Sequence, residues 1–370
     1  MNKMENVSIS YWDDIMTTIS DNFTTERANI TGNPDVNLFT YSEGIILAVF
    51  VGLFSAFGIF ANAVTFFVIA RSDKLKKSPF NIMLMSLCVS DFLSACYSPF
   101  VLYRRTFGYS KYSLPVFFCK TTLAIDFWTN NVTIQHILVF LILRITGIKF
   151  PHLLKKITPY IVKIVALGIW VETFLANFVF YFWFPTVLPS NLVTFRKACT
   201  SQLAKLIVLR RYMLFAFPIF LYFPICAVAL LSFYLVILVA TRRKSIKDNR
   251  SNTDVKKENF ALLQLSFILA SFLLGYLPDI VYRIMAISWP RLYGKGYHGR
   301  VPWQHSMAAH MLLRISECLN PIFYNLASSA MRAETRTVLK RLFRKEETKI
   351  QRSTDVDTHT KESSKQQTTV

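Results

Sequence analysis

Residues Asn81–Pro99 read NIMLMSLCVSDFLSACYSP, an apolar run with a single carboxylate, Asp91, in its middle. About 20 mostly apolar residues in a helix cross the roughly 30 Å hydrocarbon core of a membrane. A charged group inside such a span costs several kcal/mol unless it faces a partner or water, and so marks function. Asp91 therefore points to a bundle of spans with a polar interior rather than a lone anchor.

Working outward, six further runs of that length appear. The set is Gly44–Ala70, Phe80–Tyr103, Thr121–Leu143, Ile164–Val187, Tyr212–Thr241, Asn259–Tyr282 and Val301–Ala327. The last is the most polar, with His305, His310, Arg314 and Glu317 inside it. Composition agrees: 53% hydrophobic and 17% charged residues over 370 suit a membrane protein better than a water-facing globule. Asp91, Asp126, Glu172, Asp279, Arg314 and Glu317 are six ionisable groups within the spans.

Residues 1–42 hold no apolar core of signal-peptide length but carry three sequons, at Asn6, Asn22 and Asn29, which favour a glycosylated, extracellular N-terminus. With seven spans, segments 71–79, 144–163, 242–257 and the C-terminus then face the cytosol. They carry most of the Lys and Arg, in line with the positive-inside rule. The net charge of +20 accordingly reads as orientation and contact with anionic membrane lipid, not as nucleic-acid binding. Cys119 and Cys199 fall on the oxidising side, where a disulfide between them is expected. The fold class is all-α: a seven-transmembrane bundle (43–327), an amphipathic helix 8 in the interface (328–345) and a disordered tail (346–370). No nucleotide-binding loop, metal spacing or hydrolytic constellation is evident, so an enzyme is not expected.

The chain resembles the rhodopsin-like, or class A, G-protein-coupled receptors over about residues 43–344. Asn81, Leu84, Leu87 and Asp91 match the second-helix pattern of that family, followed by Pro99. LNPIFY supplies its seventh-helix motif through Asn320, Pro321 and Tyr324. Asn62, Trp170 and Pro278 stand at the marker positions of helices one, four and six. Arg144 and Pro151 reproduce the spacing of the Asp-Arg-Tyr motif and the loop proline after it.

The resemblance implies a multi-pass plasma-membrane receptor that binds an extracellular ligand and activates a heterotrimeric G protein, with arrestin as a further partner. It implies a sodium- or proton-sensitive site from Asp91, Glu317, Thr133 and Asn320, sodium being the one cofactor; the alternative is a satisfied polar patch without ion dependence. Asp126 matches the aspartate that amine receptors use. Arg314, where an opsin holds its retinal lysine, would pair with Asp126 and occupy it. A basic mouth of Arg105, Arg283 and His310, with Asp279, suits a peptide or another ligand with an acidic group. A neuropeptide is thus expected, with an amine on Asp126 and a non-signalling decoy as alternatives. The activation switch implied is Arg144, Glu258, Phe272, Tyr276, Pro278, Asn320, Pro321 and Tyr324. Gly275 and Tyr276 replace the usual Cys and Trp, Pro218 and Pro224 compete for the fifth-helix proline, and Leu143 replaces the acid before Arg144. Arg144 ends its apolar run, and Glu258 is expected to restrain it alone.

Overall fold

The computed structural model describes residues 39–109, 111–189, 197–200, 203–246, 269–282, 284–285, 300–327 and 329–340. Helix α1 is Tyr41–Arg71, α2 Pro79–Arg105, α3 Val116–Lys149 and α4 Pro159–Trp183. Helix α5 comprises Leu203–Phe217, a π-turn Pro218–Tyr222 and Phe223–Ile246. Helix α6 is described over Leu269–Tyr282, α7 is Arg300–Ala327, and α8 covers 329–340. The predicted Glu258, Arg283, Asn6, Asn22 and Asn29 lie outside the described residues, as does the tail from 341.

The packing is that of a bilayer-embedded bundle. Large apolar residues such as Leu53, Phe60, Phe215, Leu230 and Phe233 are exposed, while Asn62, Asp91, Asn130, Thr133, Glu317 and Asn320 are buried. Lipid tails satisfy apolar side chains but offer no hydrogen bonds, so polar groups turn inward toward one another. Helix α3 lies at the centre, against α2, α4 and α5, and α7 packs on α1 and α2. Trp170 shows how polar pairs join these helices. Its Nε1 donates to Ser86 Oγ at 2.9 Å, and His136 Nε2 meets the same oxygen at 2.8 Å. His136 Nδ1 lies 2.7 Å from the Val132 carbonyl and must be the donor there, which leaves Nε2 to accept from Ser86.

Between α4 and α5, strands β1 (Thr186–Pro189) and β2 (Lys197–Thr200) pair antiparallel. The Cys119–Cys199 disulfide ties this hairpin to the start of α3. On the same side, a capping box of Thr40 and Glu43 starts α1, and Glu43 also pairs with Arg300 of α7 at 2.7 Å.

The structure corrects several boundaries. Arg144 does not end a helix: α3 continues to Lys149, because a helix leaving hydrocarbon loses its apolar signal without losing its backbone hydrogen bonds. Helix α4 stops at Trp183 rather than Val187, since Thr186–Pro189 is strand. Helix α5 begins at Leu203, ahead of the apolar stretch from Tyr212. Glu172 is exposed on α4, where Gln135 Nε2 donates to it at 3.3 Å, so it does not belong with the buried ionisable groups.

Candidate functional site

Helical spacing puts His310, Arg314 and Glu317 on one face of α7 and Asp126, Asn130 and Thr133 on one face of α3. All six are buried, and the two faces meet. Arg314 Nη2 donates to Asn130 Oδ1 at 2.8 Å and reaches Asp126 Oδ1 at 3.4 Å. Its other terminal nitrogen, Nη1, lies 2.8 Å from Glu317 Oε2, which also accepts from Ser94 Oγ of α2 at 2.7 Å. One guanidinium thus bridges a carboxylate on α3 and another on its own helix. His310 Nδ1 stands 4.0 Å from the same Asp126 oxygen, so this histidine sits in the bundle interior and not at the mouth.

One turn deeper, Asn320 Nδ2 donates to Asp91 Oδ2 at 2.9 Å and Thr133 Oγ1 donates to Asp91 Oδ1 at 3.3 Å. Ser90 Oγ lies 3.1 Å from Thr133 Oγ1. Of the four residues expected to share one site, Asp91, Thr133 and Asn320 are joined directly by hydrogen bonds. Glu317 is instead held by Arg314 and Ser94. The Asp91 carboxylate, the Thr133 and Ser90 hydroxyls and the second Glu317 oxygen, Oε1, are hard oxygens of the kind a sodium ion takes, whereas Asn320 turns its amide nitrogen to Asp91; Oε1 is buried with no hydrogen-bond partner among the described residues. That set fits the ion chemically. Asp91, Asp126 and Glu317 are three buried carboxylates, and Arg314 is the cation in direct contact with two of them, Asp126 and Glu317.

Above this relay, Arg105 Nη1 donates to the Ser306 carbonyl at 3.0 Å and to Ser306 Oγ at 2.7 Å, closing α2 onto α7. Its neighbour Arg104 has a buried Nε without a hydrogen-bond partner among the described residues. Asp279 is buried and lines, with Asn130, Asn131, Asn177 and Tyr276 and the apolar Phe127, Phe220 and Leu221, a void of about 10 Å³, room for one water.

On α6, Phe272 and Tyr276 stack with centroids 4.4 Å apart, and Tyr276 Oη donates to the Asn130 carbonyl at 3.4 Å. Gly275 packs tightly against α7. A Cβ there would stand 2.8 Å from Ser316 Cβ and 3.3 Å from the Leu313 backbone. The small residue that replaces a Cys in the family pattern is therefore required by packing. Ser271 Oγ, one turn away, contacts Ser316 Oγ at 3.0 Å. The π-turn of α5 opens at Pro218, where a missing N–H already interrupts the helix. Tyr324 is buried next to the α2 end of the relay, and Arg144 stacks its guanidinium 4.2 Å over the Phe80 ring.

Sequence reasoning missed Gly275 and the second partner of Arg314. The latter had a signal, because Arg314 and Glu317 are three apart on a helix and such residues are neighbours.

Comparison with known proteins agrees with this geometry. The human cysteinyl leukotriene receptor 1 is 23% identical over 320 residues, covering 84% of this chain and 91% of the relative. The family described as "7 transmembrane receptor (rhodopsin family)" matches residues 61–324, which include the Asp91 cluster, the Arg314 bridge and the Asn320–Pro321–Tyr324 motif, and the chain belongs to that family.

Proposed function

We propose that the protein is a cell-surface receptor whose N-terminus is extracellular and whose ligand carries an acidic group, a neuropeptide before other classes. The observation that carries this reading is the Arg314–Asp126 contact at 3.4 Å. The carboxylate that would pair with an ammonium already has a cation on it. What remains open at that end is positive: Arg104 holds a buried Nε without a partner among the described residues, beside Arg105. A buried guanidinium and a carboxylate or phosphate make a strong, directional pair.

Ligand binding would shift an existing equilibrium between two bundle arrangements, opening the far ends of α3, α5 and α6 to a heterotrimeric G protein. The side chains that change partners in that shift are Arg144, Tyr276 and Tyr324. A second reading follows the relative, whose name states that it receives cysteinyl leukotriene; a ligand of that kind fits the same basic end.

The test is a panel of acidic neuropeptides, cysteinyl leukotrienes and biogenic amines on cells with a promiscuous G-protein readout. An acidic ligand that activates wild type and loses at least about tenfold in potency on Arg104→Ala supports the reading. An amine that activates wild type and fails on Asp126→Asn overturns it.

A further inference from the structure

A second cleft, of about 390 Å³, lies at the opposite end of the bundle from the disulfide. Its walls come from the start of α2, the end of α3 and the connection to α4, with Phe80, Leu154 and Ile157 as apolar surface and Lys77, Arg144 and Lys155 as cations. Among the described residues, no carboxylate lines it. The nearby Lys76 is already paired with Asp73 at 2.5 Å, whereas Lys77 and Lys155 are exposed at the rim. At the floor, Arg144 Nε is buried with no hydrogen-bond partner among the described residues, and the guanidinium carbon lies over the Phe80 ring, 4.2 Å from its centroid.

Three cations around one apolar recess need an anion of matching shape. The next residues along α4, Tyr160, Ile161 and Ile164, are apolar and exposed, as side chains facing lipid tails are. The cleft therefore sits at the boundary between hydrocarbon and headgroups, where anionic phospholipid presents phosphate at high local concentration. A volume in the range of small-molecule sites accommodates a phosphate and its ester neighbours.

We propose that this cleft seats the phosphate of an anionic membrane phospholipid, held by Lys77 and Lys155 at the rim and by Arg144 at the floor. The lipid then supplies the counter-ion that Leu143 cannot, because Leu143 stands where the related receptors carry an acid beside the arginine. Bound lipid holds Arg144 against α2 and Phe80, and its departure releases the arginine for the active arrangement. This second step rests on the G-protein reading above; the binding site itself does not.

The full chain, purified in detergent and exchanged into nanodiscs, tests both parts. Native mass spectrometry with phosphatidylserine and with phosphatidylinositol bisphosphate should show retained anionic lipid on wild type. Binding to Lys77→Ala/Lys155→Ala should be roughly thirtyfold weaker, since each lysine near an anionic surface contributes about fivefold. These rim side chains are exposed, so the variant keeps its fold, which thermal melting checks. Equal lipid retention by wild type and variant overturns the site. Inositol trisphosphate displacing the lipid as well as lipid itself does overturns the choice of a membrane source. In the second arm, basal nucleotide exchange by G protein should be several-fold lower in nanodiscs with anionic lipid than in phosphatidylcholine alone. The double variant should lose that difference. Unchanged exchange at full lipid binding overturns the counter-ion role. No exchange under any lipid condition overturns the coupling reading, while the mass-spectrometry arm still decides the site.

Discussion

Arg314 Nη2 on α7 lies 3.4 Å from Asp126 Oδ1 on α3 while Nη1 of the same side chain lies 2.8 Å from Glu317 Oε2. A cation shared between two buried carboxylates is worth most through what its loss leaves behind. Breaking a buried pair strands an uncompensated charge, at a cost of about 3–5 kcal/mol.

Arg314→Gln is accordingly expected to lower the melting temperature of the purified receptor and its surface level sharply. Adding Asp126→Asn to it should restore part of the loss, because one of the stranded charges is gone. A double-mutant cycle on melting checks this. If the two effects simply add, Asp126 and Arg314 do not interact.

The α6–α7 contact makes a separate prediction. Gly275→Ala places a methyl 2.8 Å from Ser316 Cβ, closer than carbon atoms pack. Overfilling a tight contact of this kind costs about 1–3 kcal/mol. The variant should melt earlier than wild type, and Ser316→Gly on top of it should recover stability. Because α6 and α7 carry Tyr276 and Asn320, basal nucleotide exchange is expected to change in the same variant. An unchanged melting temperature for Gly275→Ala would show that the helices do not approach so closely.

Phe80 is the aromatic ring under the Arg144 guanidinium, with 4.2 Å to its centroid. A half-buried contact of this type is worth about 1 kcal/mol. If it favours the resting arrangement, Phe80→Leu should raise basal exchange roughly fivefold and leave the receptor folded. Basal exchange measured at matched surface expression decides it; no rise means that the ring does not hold the arginine. Glu258, the other restraint expected from the spacing, is probed by Glu258→Ala with the same readout.

Among the described residues five helices are long and apolar enough to cross a membrane, and these were legible because apolar runs of that length admit few other readings; α6 is described only over Leu269–Tyr282 and α7 is too polar to be read from hydropathy, so those two rest on the family. Asp91 with Asn320, joined here at 2.9 Å, was legible from their motifs. What escaped has physical causes. A charged residue looks like a boundary in a hydropathy pattern, yet α3 runs five residues past Arg144 to Lys149 in the interface. Glu172 looked buried because its run is apolar, but only the face of α4 it occupies decides burial, and that face is exposed. Gly275 was visible as a glycine and not as a contact, since the residue it meets, Ser316, is far away in sequence. Arg314 was assigned one partner, Asp126, where the fold adds Glu317 and Asn130.

The charge of the relay leads to the last prediction. Asp91, Asp126 and Glu317 are buried carboxylates, and Arg314 balances only one unit of their combined charge. Like charges so placed either take up protons or bind a cation. Asp91 is surrounded by the Thr133 hydroxyl and the Asn320 side chain, and Glu317 Oε1 keeps a free lone pair among the described residues. Sodium, bound between these oxygens, would stabilise the resting arrangement, so replacing sodium by N-methylglucamine in the assay should raise basal nucleotide exchange. Glu317→Gln removes one charge and one hard oxygen, and should make exchange nearly independent of sodium. Asp91→Asn should do the same from the other side of the site. If the sodium titration of Glu317→Gln superimposes on that of wild type, the relay is a satisfied polar network and Arg314 is all the positive charge it uses.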